Sequence, residues 1–148
     1  MIQDKLYLNT WYRLYIPGDY VSEKATNVQV ILDELRKINP DIEACSLISA
    51  DGLPIVSVIP SGTDENKIAA MAAAIESVSE RVINELQRGD LKQVYIEGTK
   101  GGVIVVNMGL DTALVVIMKP KAKLGLVLLD VRETIKKLLR LEFFSQST

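Results

Sequence analysis

Few residues in this chain could carry out chemistry. Histidine is absent, and Cys45 is the one cysteine. Ser-His and Cys-His nucleophilic systems both need an imidazole base, so neither can be built. The two commonest ligands for zinc and other transition metals cannot cluster either. Cys45 sits inside the apolar run IEACSLISA and reads as a buried structural thiol. No internal disulfide is possible, which fits a cytoplasmic protein.

Carboxylates, lysines and glycines remain. Glu80 beside Arg81, and Glu133 beside Lys136 and Lys137, read as solvated charges on helix faces. The sequence has no GxxxxGK[ST] loop, and Gly98-Thr99-Lys100-Gly101-Gly102 joins two strands rather than opening a helix. It therefore lacks the amide donors and dipole of a phosphate cradle and reads as a hairpin turn. Lys119, Lys121 and Lys123 read as an ordinary basic loop, since no aromatics are interleaved with them. The expectation is a protein with no catalytic residue, no cofactor and no metal.

The elements that would position any site follow from length and patterning. The chain has 148 residues, 48% of them hydrophobic and 24% charged, which suits one globular domain. A net charge of −2 argues against a nucleic-acid partner. The longest stretch without Asp, Glu, Lys or Arg runs from Gly52 to Thr63 and contains Pro54 and Pro60, so no membrane span or membrane partner is expected.

Five of the eight aromatic residues, Tyr7, Trp11, Tyr12, Tyr15 and Tyr20, fall in the first twenty positions. Residues 1–24 read as an aromatic-rich extension with a turn at Pro17-Gly18-Asp19, and 143–148 as a tail. A helix is expected from a Thr26–Gln29 capping box to Asn39-Pro40, with Val28, Ile31, Leu32, Leu35 and Ile38 on one stripe. Strands over 42–50 and 53–59 meet at Asp51-Gly52, a hairpin signal. A long helix capped by Thr63 or Asp64 runs to Gly89. Three strands follow, at 91–97, 103–108 and 113–118, and then a helix over 124–141 with Leu124, Leu128, Val131, Ile135 and Leu138 on one stripe. The order α-β-β-α-β-β-β-α, with short connections, implies an antiparallel sheet covered by helices.

The long helix carries two kinds of face. At 100° per residue, Ile68, Met71, Ala72, Ile75, Ser79, Val82 and Leu86 cluster and are expected to cover the sheet. Opposite them lie Ala70, Ala73, Ala74 and Ser77 at i, i+3, i+4, i+7. Small residues in that pattern let a second helix approach closely, and no other element is free to supply it. A second subunit is the natural source.

Three runs together resemble the prokaryotic branch of the Roadblock/dynein light-chain family: ACSLISADGLPIVSVIPSGTDENKIAAMAAAI, VYIEGTKGGVIVVNMGLDTALVVIM and KLGLVLLDVRETIKKL. The resemblance covers residues 26–141, within a domain of 25–142. It implies an α+β fold, a three-layer α/β/α sandwich around a five-stranded antiparallel sheet of order 2-1-5-4-3. It also implies homodimers in which the long helices pair and the third strands join edge to edge. On this chain that maps the interface to Ala70, Ala73, Ala74, Ser77, Val94 and Ile96. Family members regulate or scaffold Ras-like small GTPases, or act as adaptors, without catalysing anything. Glu76, Glu80, Arg81 and Asn84 border the paired helices and are the expected contacts to such a partner. A small-molecule sensing module of profilin-like fold is the alternative, although Ser46, Ser49, Ser57 and Asn107 are the only strand polar groups it could use.

Overall fold

The structure, a computed structural model, describes residues 18–141, with side chains from Ala25 onward. Tyr7, Trp11, Tyr12, Tyr15, the side chain of Tyr20 and the tail at 143–148 lie outside the described residues. The order is α1 (Gly18–Ile38), β1 (Ile42–Ser49), β2 (Pro54–Val58), α2 (Glu65–Glu85), β3 (Gln93–Gly98), β4 (Gly101–Gly109), β5 (Thr112–Met118) and α3 (Leu124–Leu139).

The main difference from expectation is the start of α1. It begins at Gly18, so Thr26 lies inside the helix and is not its N-cap. Ala25 is buried and carries the stripe of Val28, Leu32 and Leu35 one turn further back. That burial outweighs the deficit of about 0.7 kcal/mol or less for a threonine in a helix interior. Ile38, expected on the same stripe, is exposed.

All strand pairs are antiparallel, and the sheet order is β2-β1-β5-β4-β3. Strand alternation gives each face its own core. Leu47, Val56, Ile104, Leu114 and Val116 meet α1 and α3, while Ile48, Val105, Ala113 and Val115 meet α2. The hydroxyls of Ser46 and Ser57, buried as a cross-strand pair, satisfy each other at 2.7 Å.

The turns follow local chemistry. Gly52, at φ +83°, turns β1 into β2, and Leu110 and Asp111 both adopt positive φ in the tight β4–β5 turn. Gly98 pairs with Gly101 across a two-residue β3–β4 turn, so the glycine cluster is a hairpin, as expected. A Cβ on Gly101 would collide with the Met118 carbonyl.

Asp41 ties the start of α3 to the sheet: its carbonyl accepts from Lys119 N at 2.9 Å, and its carboxylate accepts from Lys123 N at 3.1 Å. In α3 the buried stripe is Val127, Val131, Thr134 and Leu138, with Leu124, Leu128 and Ile135 at its margin.

Leu114 on the central strand β5 is fully buried. Leu114→Ala should cost about 2–5 kcal/mol, because the surrounding sheet and helices cannot collapse onto the cavity. Urea denaturation checks this as a lower midpoint with an unchanged slope.

Candidate interaction surface

The helix α2 meets the sheet through its smallest side chains. Asp64 caps it, accepting from Lys67 N at 3.1 Å. Ala69 and Ala72 are buried beneath it together with Glu76, while Ile68, Ala73, Ile75 and Ser79 are half-buried. Met71, Val82 and Leu86 do not cover the sheet as expected: they are 51%, 51% and 61% exposed, and Val78 is 61% exposed.

The reason lies at the β1–β2 turn. A Cβ on Gly52 would stand 3.2 Å from the Ala70 Cα and 3.4 Å from the Ala73 Cβ. Helix and turn are so close that only alanine fits between them, and the bulky residues are turned outward. Large side chains dominate a sequence-derived apolar direction, which is why the periodicity placed Met71, Val82 and Leu86 toward the sheet together with Ile68 and Ala72, which do meet it. The signal that was available is the Asp51-Gly52 turn together with alanines spaced i, i+3.

The expected interface residues fall into two settings. Ala70, Ala74 and Ser77 are exposed, whereas Ala73 is half-buried against the turn. Val94 and Ile96 lie on β3, an edge strand whose single partner is β4. Their register partners Val105 and Val103 belong to the core beneath α2, so all four share its side of the sheet. Val94 is half-buried and Ile96 is exposed. The outward flank of α2 and the β3 edge therefore lie on one side of the molecule.

Of the four residues expected to meet a partner, Glu80, Arg81 and Asn84 are exposed, and Glu76 is buried. Glu76 and Glu80 line a groove of about 310 Å³ with Ala73, Ser77, Asn107 and Asp111. Burial pushes the Glu76 carboxyl above its ordinary value, and the negative charge of Glu80 adds to the rise. A hydrogen bond with the Asn107 side chain partly offsets both. Asn107 Oδ1 meanwhile accepts from Gly109 N at 2.7 Å, holding the amide against the β4–β5 turn. The role of Asn107 was not legible from sequence, where it is one polar residue in an apolar strand.

Among the described residues, no group of three or more His, Cys, Asp or Glu could hold a metal, and no helix is long and apolar enough to cross a membrane. Burial pushes the Cys45 thiol up to about 12, and its Sγ lies 3.7 Å from the Leu32 carbonyl oxygen. That thiol is protonated and unreactive at neutral pH.

A family model described as the Roadblock/LC7 domain matches residues 28–118. An uncharacterized protein of Methanocaldococcus jannaschii is 33% identical over 108 residues, covering 73% of this chain and 93% of that protein. Myxococcus xanthus MglB has a similar structure, with a TM-score of 0.71 at 22% identity over 76% of this chain and 92% of its own. A second MglB structure, with a tetrameric arrangement, has a TM-score of 0.71 at 18% identity over 78% and 87% of the two chains. At these identities the two structures establish the shared fold.

Glu76→Gln should stabilise the protein at neutral pH, because the neutral amide keeps a partner for Asn107 and loses the buried charge. The Glu76 carboxyl titrates higher in the folded state than in the unfolded one. Its unfavourable contribution is thus full above the folded value, shrinks as pH falls through that value, and vanishes below the unfolded one. Denaturation midpoints of both proteins across pH should converge in acid. A constant difference would assign the effect to packing rather than ionisation.

Proposed function

The chain belongs to the Roadblock/LC7 domain family, a family of regulatory and adaptor domains, and we propose that it acts as a non-catalytic homodimeric regulator or scaffold of a Ras-like small GTPase. The observation that carries this reading is the outward face of α2. Met71, Val78, Val82 and Leu86 stand exposed beside the small residues Ala70, Ala74 and Ser77. Water-facing aliphatic side chains in such a row are costly on a lone chain and are removed from water by a second copy.

Two α2 helices related by a two-fold axis would bury this face, with Ala70, Ala73, Ala74 and Ser77 allowing close approach. The β3 edges, with Val94 and Ile96, would extend one sheet into the other through their unpaired backbone groups. Glu80, Arg81 and Asn84 would then ring the paired helices, with Glu76 behind them in the groove. This is the charged surface offered to the GTPase. The chain has no imidazole and presents Arg81 and Arg88 exposed. Regulation would therefore act by holding one conformation of the partner's switch loops.

Light scattering should find a dimer that Val78→Asp and Ala74→Arg each convert to monomer, because a charge would be buried without a partner. A monomeric wild type would overturn the dimer. Calorimetry against the GTP-analogue and GDP forms of the Ras-like GTPases of the source organism should show about tenfold or greater preference for one form. Equal affinities would leave the scaffold reading and remove regulation, since a ligand blind to two states shifts neither. No binding to any of them would remove both and leave an adaptor without a GTPase.

A further inference from the structure

The groove between α2 and the β4–β5 turn has a wall fixed by its own hydrogen bonds. Ala50 N donates to Asp111 O at 2.8 Å, Gly109 N to Asn107 Oδ1 at 2.7 Å and Thr112 Oγ1 to Gly109 O at 2.8 Å. The turn is thereby held against the end of β1, and an opening of about 310 Å³ is left beside α2. At its lip stands Leu110, at φ +56° and 46% exposed.

Glu76 lines this groove and is only 8% exposed. An ionised carboxylate has roughly four acceptor sites, and an amide NH2 brings at most two protons to it. Asn107 can offer no more than that, because its Oδ1 is committed to Gly109. Acceptor capacity is therefore left over on a buried charge, a setting in which proteins ordinarily supply a cation. Glu80 and Asp111 place further carboxylates along the groove, and no lysine or arginine lines it. Among the described residues no three acidic groups are placed to hold a metal ion. Carboxylates spread in this way suit an extended cation with several donors. The guanidinium of arginine has five N–H donors in one plane and is more weakly hydrated than an ammonium. Leu110 offers an apolar ledge for its methylene stem.

We propose that this groove seats an arginine side chain of the partner protein, its guanidinium held by Glu76 together with Glu80 and Asp111. Naming the GTPase as the source of that arginine rests on the function proposed above, whereas the recognition itself does not. In the free protein burial and Glu80 both disfavour the Glu76 charge, and an incoming cation offsets both. Stability and binding therefore pull in opposite directions at this residue.

The probe is N-acetyl-arginine amide, titrated into the isotope-labelled full chain at neutral pH and followed by NMR. The Asn107 side-chain and Gly109 backbone amide signals should move saturably at millimolar concentrations, and N-acetyl-lysine amide should bind several-fold more weakly. Glu76→Gln should weaken binding of the arginine probe about tenfold, the difference between a charge-assisted and a neutral hydrogen bond, while its denaturation midpoint rises. Asp111→Asn, a residue type that tolerates the left-handed backbone there (φ +57°), should weaken it less. Calorimetry of the same variants against the GTPase should give the same order. No shift with the arginine probe, or a shift unchanged in Glu76→Gln, would overturn the site. Equal binding of the lysine probe would overturn the preference for arginine. A shift seen only after Arg81→Gln/Arg88→Gln would show that a second copy already fills the groove, and would overturn the assignment to a partner protein. A GTPase that binds wild type and Glu76→Gln alike would remove it as the source of the arginine. Binding of the probe without binding of any GTPase would sink the GTPase reading and leave the groove standing.

Discussion

The contact between alanine and glycine at the β1–β2 turn constrains everything on the α2 side of the molecule. With Gly52 pressed against Ala70 and Ala73, the helix lies low on the sheet, and only Ala69 and Ala72 are fully buried among its apolar residues. The other face is filled by Leu32, Leu35, Leu47, Leu114 and Leu138, large side chains packed between the sheet and α1 and α3. The close approach at the β1–β2 turn leaves little room there for long side chains. Met71, Val78, Val82 and Leu86 consequently stand in water. At about 25 cal/mol per Å² of apolar surface, even partial cover of four such side chains amounts to several kcal/mol. A requirement of intramolecular packing thus creates the surface available for association.

The same low helix explains the setting of Glu76. It projects from the sheet side of α2, where an aliphatic residue would be the simple choice, and meets Asn107 on β4. No lysine or arginine lines the groove, so its charge is balanced by an amide dipole rather than by a counter-ion. A buried carboxylate held in this way is sensitive to any nearby charge. Glu80, one turn away on the rim, already raises its proton affinity. A cationic side chain entering the groove would reverse that effect, which makes the groove responsive to the charge of whatever meets the rim of α2.

Much of the fold was legible because its signals are local. The Asp51-Gly52 hairpin, the cap at Thr63 or Asp64, the glycine turn at 98–102 and the helix stop at Asn39-Pro40 each depend on a few adjacent residues whose chemistry leaves little choice. Two features were not legible. The passage of α1 through Thr26 rests on Ala25 finding a place in the core, which is a tertiary fact, and the local capping pattern at Thr26 lost to it. The orientation of α2 depends on the distance between helix and turn, which periodicity does not encode. The site inherits this split. Ala70, Ala74 and Ser77 were read as outward and are outward, while Met71, Val82 and Leu86 beside them were placed inside and Glu76 outside.

Those two reversals strengthen one feature of the proposed mechanism. An interface of small residues alone would bury little area and give weak association. With Val78 and Val82 added to it, the two-fold contact gains the bulky apolar groups that supply most of the driving force. A GTPase bound across that axis would touch both subunits at once, through Glu80, Arg81 and Asn84 of each. Binding and dimerisation are then linked: a partner that binds only the dimer stabilises it by RT ln(1 + [L]/Kd), about 2.7 kcal/mol at a hundredfold excess over Kd. By the same linkage, a change at the dimer contact alters GTPase affinity without touching the GTPase. Regulation of this kind would bias a nucleotide switch through the free energy of assembly.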